Sequence, residues 1–171
     1  MNKIDFNLYD INPEYLKYLY SIDKEVYYIE GHKNTLKPYF GVIVILNSKN
    51  YFFIPLTPPK KKFSRWPKNS KSYIFVQDKS GSILGMLDIR KMIPVKQGLF
   101  VQTDLNKITD AKYKNLLLKK ILFCKKNSHI IFYKCMNLYQ QVKSRRKTFK
   151  FHCDYLELEQ AMRQYNLKKD K

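Results

Sequence analysis

Apolar and polar positions change period twice along this chain. Residues 13–22 repeat Tyr15, Leu16, Leu19 and Tyr20 at helical spacing, behind Asn12, a capping residue, and Pro13, whose fixed φ suits a first helical position. That pattern predicts a short amphipathic helix. Residues 23–36, with Gly31 and many polar side chains, predict irregular structure. Residues 40–46 and 51–56 are β-branched and aromatic and flank the turn composition Asn47-Ser48-Lys49-Asn50, which predicts a β-hairpin. Pro58-Pro59 ends the second strand, because proline has no N–H to give a ladder. Residues 58–72 are rich in Pro, Lys and Ser and predict a loop of about 15 residues, longer than most connections in compact domains. Two strands fit residues 72–77 and 82–88 around Asp78-Lys79-Ser80-Gly81, and shorter ones fit 91–94 and 99–102. The period then turns helical. Residues 110–127 carry Tyr113, Leu116, Leu117, Ile121, Phe123 and Cys124 with lysines between them; residues 130–144 and 153–165 predict two more helices, the last with Asp154 as a cap and Leu156, Leu158, Ala161 and Met162 inward. The sum is an α+β fold, a compact antiparallel sheet with surrounding helices. With no internal repeat and no long linker, residues 1–171 are expected to form one domain.

Charge narrows the partners. The chain has 33 Lys and Arg against 14 Asp and Glu, a net charge of +19. A compact domain so charged repels itself unless something anionic lies against it, and nucleic acid rewards many phosphate contacts through counterion release. The lysines are spread over the whole chain and not gathered on one amphipathic segment, which argues against a membrane anchor, and no apolar run approaches the roughly 20 residues of a span. The start Met1-Asn2-Lys3-Ile4-Asp5 lacks the apolar stretch of a signal peptide. The three cysteines Cys124, Cys135 and Cys153 form no Cys-x-x-Cys pair. Both features point to a reducing cytoplasm. Cys135, Cys153, His129 and His152 have no standard zinc spacing, and no metal or other cofactor is expected.

The sequence has no Gly-rich phosphate loop, no His-Glu-x-x-His and no nucleophile elbow, and its few carboxylates do not cluster. Such a protein can still cut RNA, because the 2′-hydroxyl of the substrate is the nucleophile. It attacks the adjacent phosphorus, leaving a 2′,3′-cyclic phosphate and a 5′-hydroxyl. The protein aligns the attack, moves two protons and neutralises the developing charge. The end of the hairpin offers those means. Thr57 closes the second strand and Lys60 follows it; Lys37 precedes the first strand, and the hairpin returns it to the same sheet edge. His32 lies a few residues earlier and titrates near neutral pH. Thr57, Lys60, Lys37 and His32 are the catalytic candidates. Lys61, Lys62, Ser64, Arg65 and Trp66 extend the site along the RNA, Arg65 by bidentate phosphate contact and Trp66 either by stacking on an unpaired base or, equally, by anchoring the loop to the body; Lys119, Lys120, Arg145 and Arg146 are further RNA-binding candidates. A non-catalytic basic RNA-binding module would explain the charge equally well, but not the meeting of a hydroxyl and lysines at one strand edge.

Several segments taken together resemble the toxin endoribonucleases of type III toxin–antitoxin systems, the ToxN/AbiQ family with its CptN branch. They are Tyr15-Leu16-Lys17-Tyr18-Leu19, Lys37-Pro38-Tyr39-Phe40-Gly41, Pro55-Leu56-Thr57-Pro58-Pro59-Lys60-Lys61, Leu84-Gly85-Met86-Leu87-Asp88, Met92-Ile93-Pro94 and Tyr113-Lys114 with Leu116-Leu117. The resemblance covers nearly the whole chain, and its most specific part is the Pro55–Lys61 motif. It implies a MazF/Kid-like fold and metal-independent, sequence-selective cleavage of cellular and phage RNA. It also implies inhibition by a repetitive, pseudoknotted antitoxin RNA that the toxin itself processes, assembly of toxin and RNA into closed rings, and abortive phage defence. Carried onto this sequence, it supports Lys37, Thr57 and Lys60. Where the family often has a serine after the threonine, this chain has Pro58, which leans towards the CptN branch.

Overall fold

The computed structural model describes residues 6–28, 41–47, 50–145 and 149–165. Its organising element is the hairpin of β2 (Gly41–Asn47) and β3 (Asn50–Thr57), paired from Gly41↔Pro55 to Asn47↔Asn50 with an irregularity between Ile45 and Asn47. On its other edge β3 changes partner. Tyr51–Phe53 pair with β6 (Ile93–Val95), whereas Leu56 and Thr57 pair with β5 (Ile83–Asp88), which in turn pairs with β4 (Tyr73–Gln77). The changeover falls around Pro55. A residue without an N–H is tolerated where the ladder on that edge is already broken. β1 (Tyr9–Ile11) joins β2 to β7 (Phe100–Gln102), giving the order β4-β5-β3-β2-β1-β7 with β6 beside β3, antiparallel throughout.

Gly41 shows how closely the hairpin is packed. A Cβ there would lie 2.3 Å from the Ile54 carbonyl oxygen and 2.4 Å from the Phe53 ring. The Phe53 ring therefore occupies the space a side chain would need.

Among the described residues, four α-helices surround the sheet. α1 (Pro13–Ile22) starts as its sequence predicts, with Asn12 accepting the Tyr15 N–H at 3.0 Å. α2 (Ala111–Lys126) and α4 (Tyr155–Gln164) begin behind Asp110 and Asp154, whose carboxylates accept the N–H groups of Tyr113 and Glu157. α3 (Ser128–Arg145) follows α2 after one residue. Two buried tyrosines tie helices to the sheet: Tyr15 donates to the Pro94 carbonyl at 2.6 Å and Tyr155 to that of Ile89 at 2.7 Å. Each satisfies a buried hydroxyl inside an otherwise apolar core.

The α+β antiparallel architecture agrees with the hydrophobic pattern. The departures are local. β1 was not expected from its three residues. The strand expected at residues 91–94 begins at Ile93, because Ile89–Lys91 form a 3-10 turn. The long loop carries a further 3-10 turn at Lys61–Arg65. Leu116 and Leu156 are half-buried, while Lys120 and Glu159 take inner positions. Among the described residues, no helix is long and apolar enough to cross a membrane.

Candidate active site

β3 stops at Thr57, and the chain leaves the sheet through exposed Pro58, Pro59 and Lys60. The register sets Thr57 opposite Met86 and Leu56 opposite Leu87. Side chains alternate across a sheet, so the two pairs face opposite ways. Leu56 and Leu87 enter the main core. Met86 enters a separate small cluster with Phe63, Tyr73 and Phe75, against which Trp66 packs.

That cluster turns the basic loop into a fixed platform. Phe63, only 2% exposed, lies 5.2 Å from the Trp66 ring and 5.5 Å from that of Phe75, and Trp66 lies 5.3 Å from Tyr73. The Tyr73 hydroxyl donates to the Pro67 carbonyl at 2.7 Å, and the Lys134 ammonium of α3 donates to that of Ser70 at 2.6 Å. Lys60, Lys61, Lys62, Ser64 and Arg65 remain exposed on this platform. Ser64 donates its hydroxyl to the Lys61 carbonyl at 3.0 Å, closing the 3-10 turn. Positive charge is therefore displayed on a backbone that its aromatic cluster already holds, so the loop itself has little freedom to lose when an anion binds, while its exposed side chains still have theirs.

Trp66 is half-buried in this arrangement. Its ring lies near two cations, the Lys62 ammonium at 5.2 Å and the Arg90 guanidinium at 5.5 Å from its centroid. Arg90 is held in turn by both oxygens of Asp88, at 2.8 and 2.9 Å. That pair, aided by its hydrogen bonds, raises the Arg90 pKa above its ordinary value despite partial burial. Trp66 thus serves as an anchor of the platform.

Thr57 is placed differently from the open rim that the sequence implies. It is 6% exposed, and its hydroxyl donates to the Met86 carbonyl at 3.3 Å. The alcohol is turned in against β5, and the exposed part of the strand end is the Pro58–Lys60 backbone with its first lysine. The hairpin register does bring the start of β2 to this end, since Gly41 lies opposite Pro55. Lys37 and His32, which precede β2, lie outside the described residues, as does Arg146. Lys119 and Arg145 are exposed, with the Arg145 guanidinium 5.8 Å from the centre of the Phe149 ring.

Lys120 departs most from expectation. It belongs to the RNA-binding candidates of a solvated helix face, yet it is only 7% exposed. Its ammonium is directed at Gly85: a Cβ on that glycine would lie 3.7 Å from Nζ and 2.7 Å from the Thr57 carbonyl oxygen. Burial lowers its pKa below the ordinary lysine value. The spacing Tyr113, Leu117, Lys120, Cys124 traces the inner stripe of α2, and this was the available sign in the sequence.

The cysteines are buried thiols, Cys124 pushed up to about 12 by burial, Cys135 and Cys153 further still. Among the described residues, no group of three or more His, Cys, Asp and Glu side chains is placed to hold a metal ion. His129 is exposed; His152 is half-buried, with Nδ1 unpartnered among the described residues and its pKa lowered by burial and by Arg90.

Known proteins resemble this chain in sequence and in fold. The chain is 31% identical over 175 residues to the endoribonuclease ToxN of Bacillus thuringiensis subsp. kurstaki, an alignment covering 96% of this chain and 86% of that protein. A solved structure concerned with a processed non-coding RNA that regulates a bacterial antiviral system superposes with a TM-score of 0.81 at 24% identity, over 94% of this chain and 99% of the other. A second, concerned with selective toxin inhibition by a non-coding RNA pseudoknot in type III toxin–antitoxin systems, gives 0.78 at 26% identity, over 94% and 98%. Residues 7–163 match the sequence profile of the toxin ToxN of type III toxin–antitoxin systems, and the chain belongs to that family.

Proposed function

We propose that this chain is the toxin of a type III toxin–antitoxin pair, an endoribonuclease that acts on cellular and phage RNA in the cytoplasm. A repetitive, pseudoknotted antitoxin RNA, which the toxin itself processes, restrains it in a closed protein–RNA assembly. Release of the toxin during phage infection stops growth. The observation that carries this reading is the strand end at Thr57 beside a pinned loop of exposed cations, in a chain 31% identical to an endoribonuclease ToxN over nearly its whole length.

The chemistry needs no metal. The substrate 2′-hydroxyl attacks the adjacent phosphorus and the 5′-oxygen leaves. Lys60, from its fixed position beyond Pro58-Pro59, neutralises charge on the phosphoryl oxygens, with Lys37 assigned to the same phosphate. Lys61, Lys62 and Arg65 hold flanking phosphates and fix the register of the strand. The Thr57 hydroxyl reaches the substrate by turning about its Cα–Cβ bond, giving up a long hydrogen bond to Met86. His32 supplies or removes a proton. Pro58 has no hydroxyl to share that work.

Expression of the chain alone, compared with expression beside its repeat RNA, tests the proposal. Growth arrest in the first case and growth in the second are expected. Normal growth under both conditions, with the protein present and folded, would favour a passive RNA-binding module.

A further inference from the structure

Lys120 is unused in the chemistry above, and its position asks for an explanation. It lies on the inner stripe of α2 between Leu117 and Cys124, both in the main core. Its ammonium reaches Gly85 of β5, one residue before the Met86 that faces Thr57, the last residue of β3. A side chain at position 85 would collide with the Thr57 carbonyl oxygen at 2.7 Å and lie 3.7 Å from the ammonium, so the glycine keeps this channel open. Among the described residues, no carboxylate pairs with the ammonium and no hydrogen bond holds it; Nζ is not among the fully buried unpartnered atoms, so it keeps a little contact with solvent. The one titratable neighbour recorded is the Cys124 thiol, itself pushed up to about 12 and so neutral near pH 7. A buried cation without a counter-charge is unfavourable in the free protein and becomes favourable when an anion reaches it.

The faces of the sheet define where that anion comes. Leu56, Leu87 and Gly85 share the α2 side, whereas Thr57 and Met86 share the side of the Phe63 platform. Beyond Thr57 the strand has ended, and a group placed there is reachable from both sides.

We infer that Lys120 is a substrate-contacting residue, its ammonium taking a phosphate oxygen of RNA bound at the end of β3, from the side of the sheet opposite Lys60–Lys62. This rests on the proposed function and deepens it: the phosphate is bracketed between a helix lysine and the basic loop. A uniform surface attraction would make Lys120 equivalent to an exposed lysine of the same helix such as Lys112, whereas bracketing makes it distinct.

The test compares Lys120→Met with Lys112→Met, an exposed lysine of the same helix, in the full chain. Methionine fills the same channel without the charge. Two quantities are read: the single-turnover cleavage rate of an RNA copied from the antitoxin repeat, and the salt dependence of affinity for the 2′-O-methyl form of that RNA, which has no nucleophile. Lys120→Met is expected to slow cleavage by about 100-fold and to reduce the salt slope by about one, at a melting temperature equal to or above that of the parent. Lys112→Met is expected to slow cleavage by less than about threefold, as for an exposed charge. Unchanged rate and slope in a folded Lys120→Met protein, with an active parent, overturn the inference and leave the proposed function standing. A parent that binds but never cuts counts against the function, while the salt slope still decides the role of Lys120. If the methionine variant does not fold, reductive methylation of the parent decides: RNA slows labelling of Lys120 if the contact forms, and unchanged labelling overturns it.

Discussion

One substitution separates the observed role of Thr57 from its proposed one. Its hydroxyl bonds the Met86 carbonyl, and the same oxygen is assigned to the substrate. Thr57→Val keeps the shape and removes the oxygen. Loss of one neutral hydrogen bond costs about 1 kcal/mol of stability, whereas loss of a donor used in the transition state slows cleavage by about 100-fold. Chemical denaturation and single-turnover kinetics read the two effects. A small stability change with an unchanged rate would confine Thr57 to holding β3 against β5. Lys120 supplies a second prediction at this scale, through pH. Burial depresses its folded-state pKa below the unfolded 10.5, so the unfolded chain binds more protons between the two values. The penalty of burying the charge is fully present below the folded pKa and is relieved as pH rises through it towards 10.5. Lys120→Met should therefore raise the stability of the protein near pH 7, and the gain should shrink by pH 10. A constant gain across that range would contradict a titrating buried lysine.

At the scale of elements, the basic loop depends on its own small core. Phe63 is buried among Trp66, Tyr73, Phe75 and Met86, apart from the main cluster. Phe63→Ala should cost about 3–5 kcal/mol and expose the lysines of the 3-10 turn to trypsin. Hydrogen exchange in β2 and in the Tyr51–Phe53 part of β3, which belong to the main sheet, should change far less. Elements were legible in the sequence where local chemistry agreed with tertiary demand. Asn12-Pro13 fixed the start of α1, Pro58-Pro59 fixed the end of β3, and Gly81 at φ 85° fits the turn between β4 and β5. β1 was not legible, because Tyr9-Asp10-Ile11 is too short to show alternation and exists only by pairing with β2 and β7. The 3-10 turn at Lys61–Arg65 was hidden by its charges: only Phe63 is buried, and one apolar residue has no period. The burial of Lys120 was hidden for the opposite reason, its charge outweighing its place in the stripe. Of the proposed site, the strand end, its lysines and their register with β2 were visible in advance. The inward turn of the Thr57 hydroxyl was not, since it depends on the pairing of β3 with β5 at long range.

For the whole molecule, a charge of +19 makes RNA binding strongly salt-dependent. With six or more phosphate contacts, affinity should fall by about 10³ between 50 and 200 mM salt; anisotropy titrations would show this, and a flat profile would argue against a phosphate-led interface. Binding alone does not establish cutting. The most direct test of the central claim, that fixed cations at the end of β3 let an RNA phosphodiester break itself, is cleavage of the antitoxin repeat RNA by the purified chain in excess EDTA, with the product ends determined. The account predicts cleavage that leaves 2′,3′-cyclic phosphate and 5′-hydroxyl ends and that slows by about 100-fold in Lys60→Ala. Cleavage that requires added magnesium, or that leaves 3′-hydroxyl ends, would contradict it.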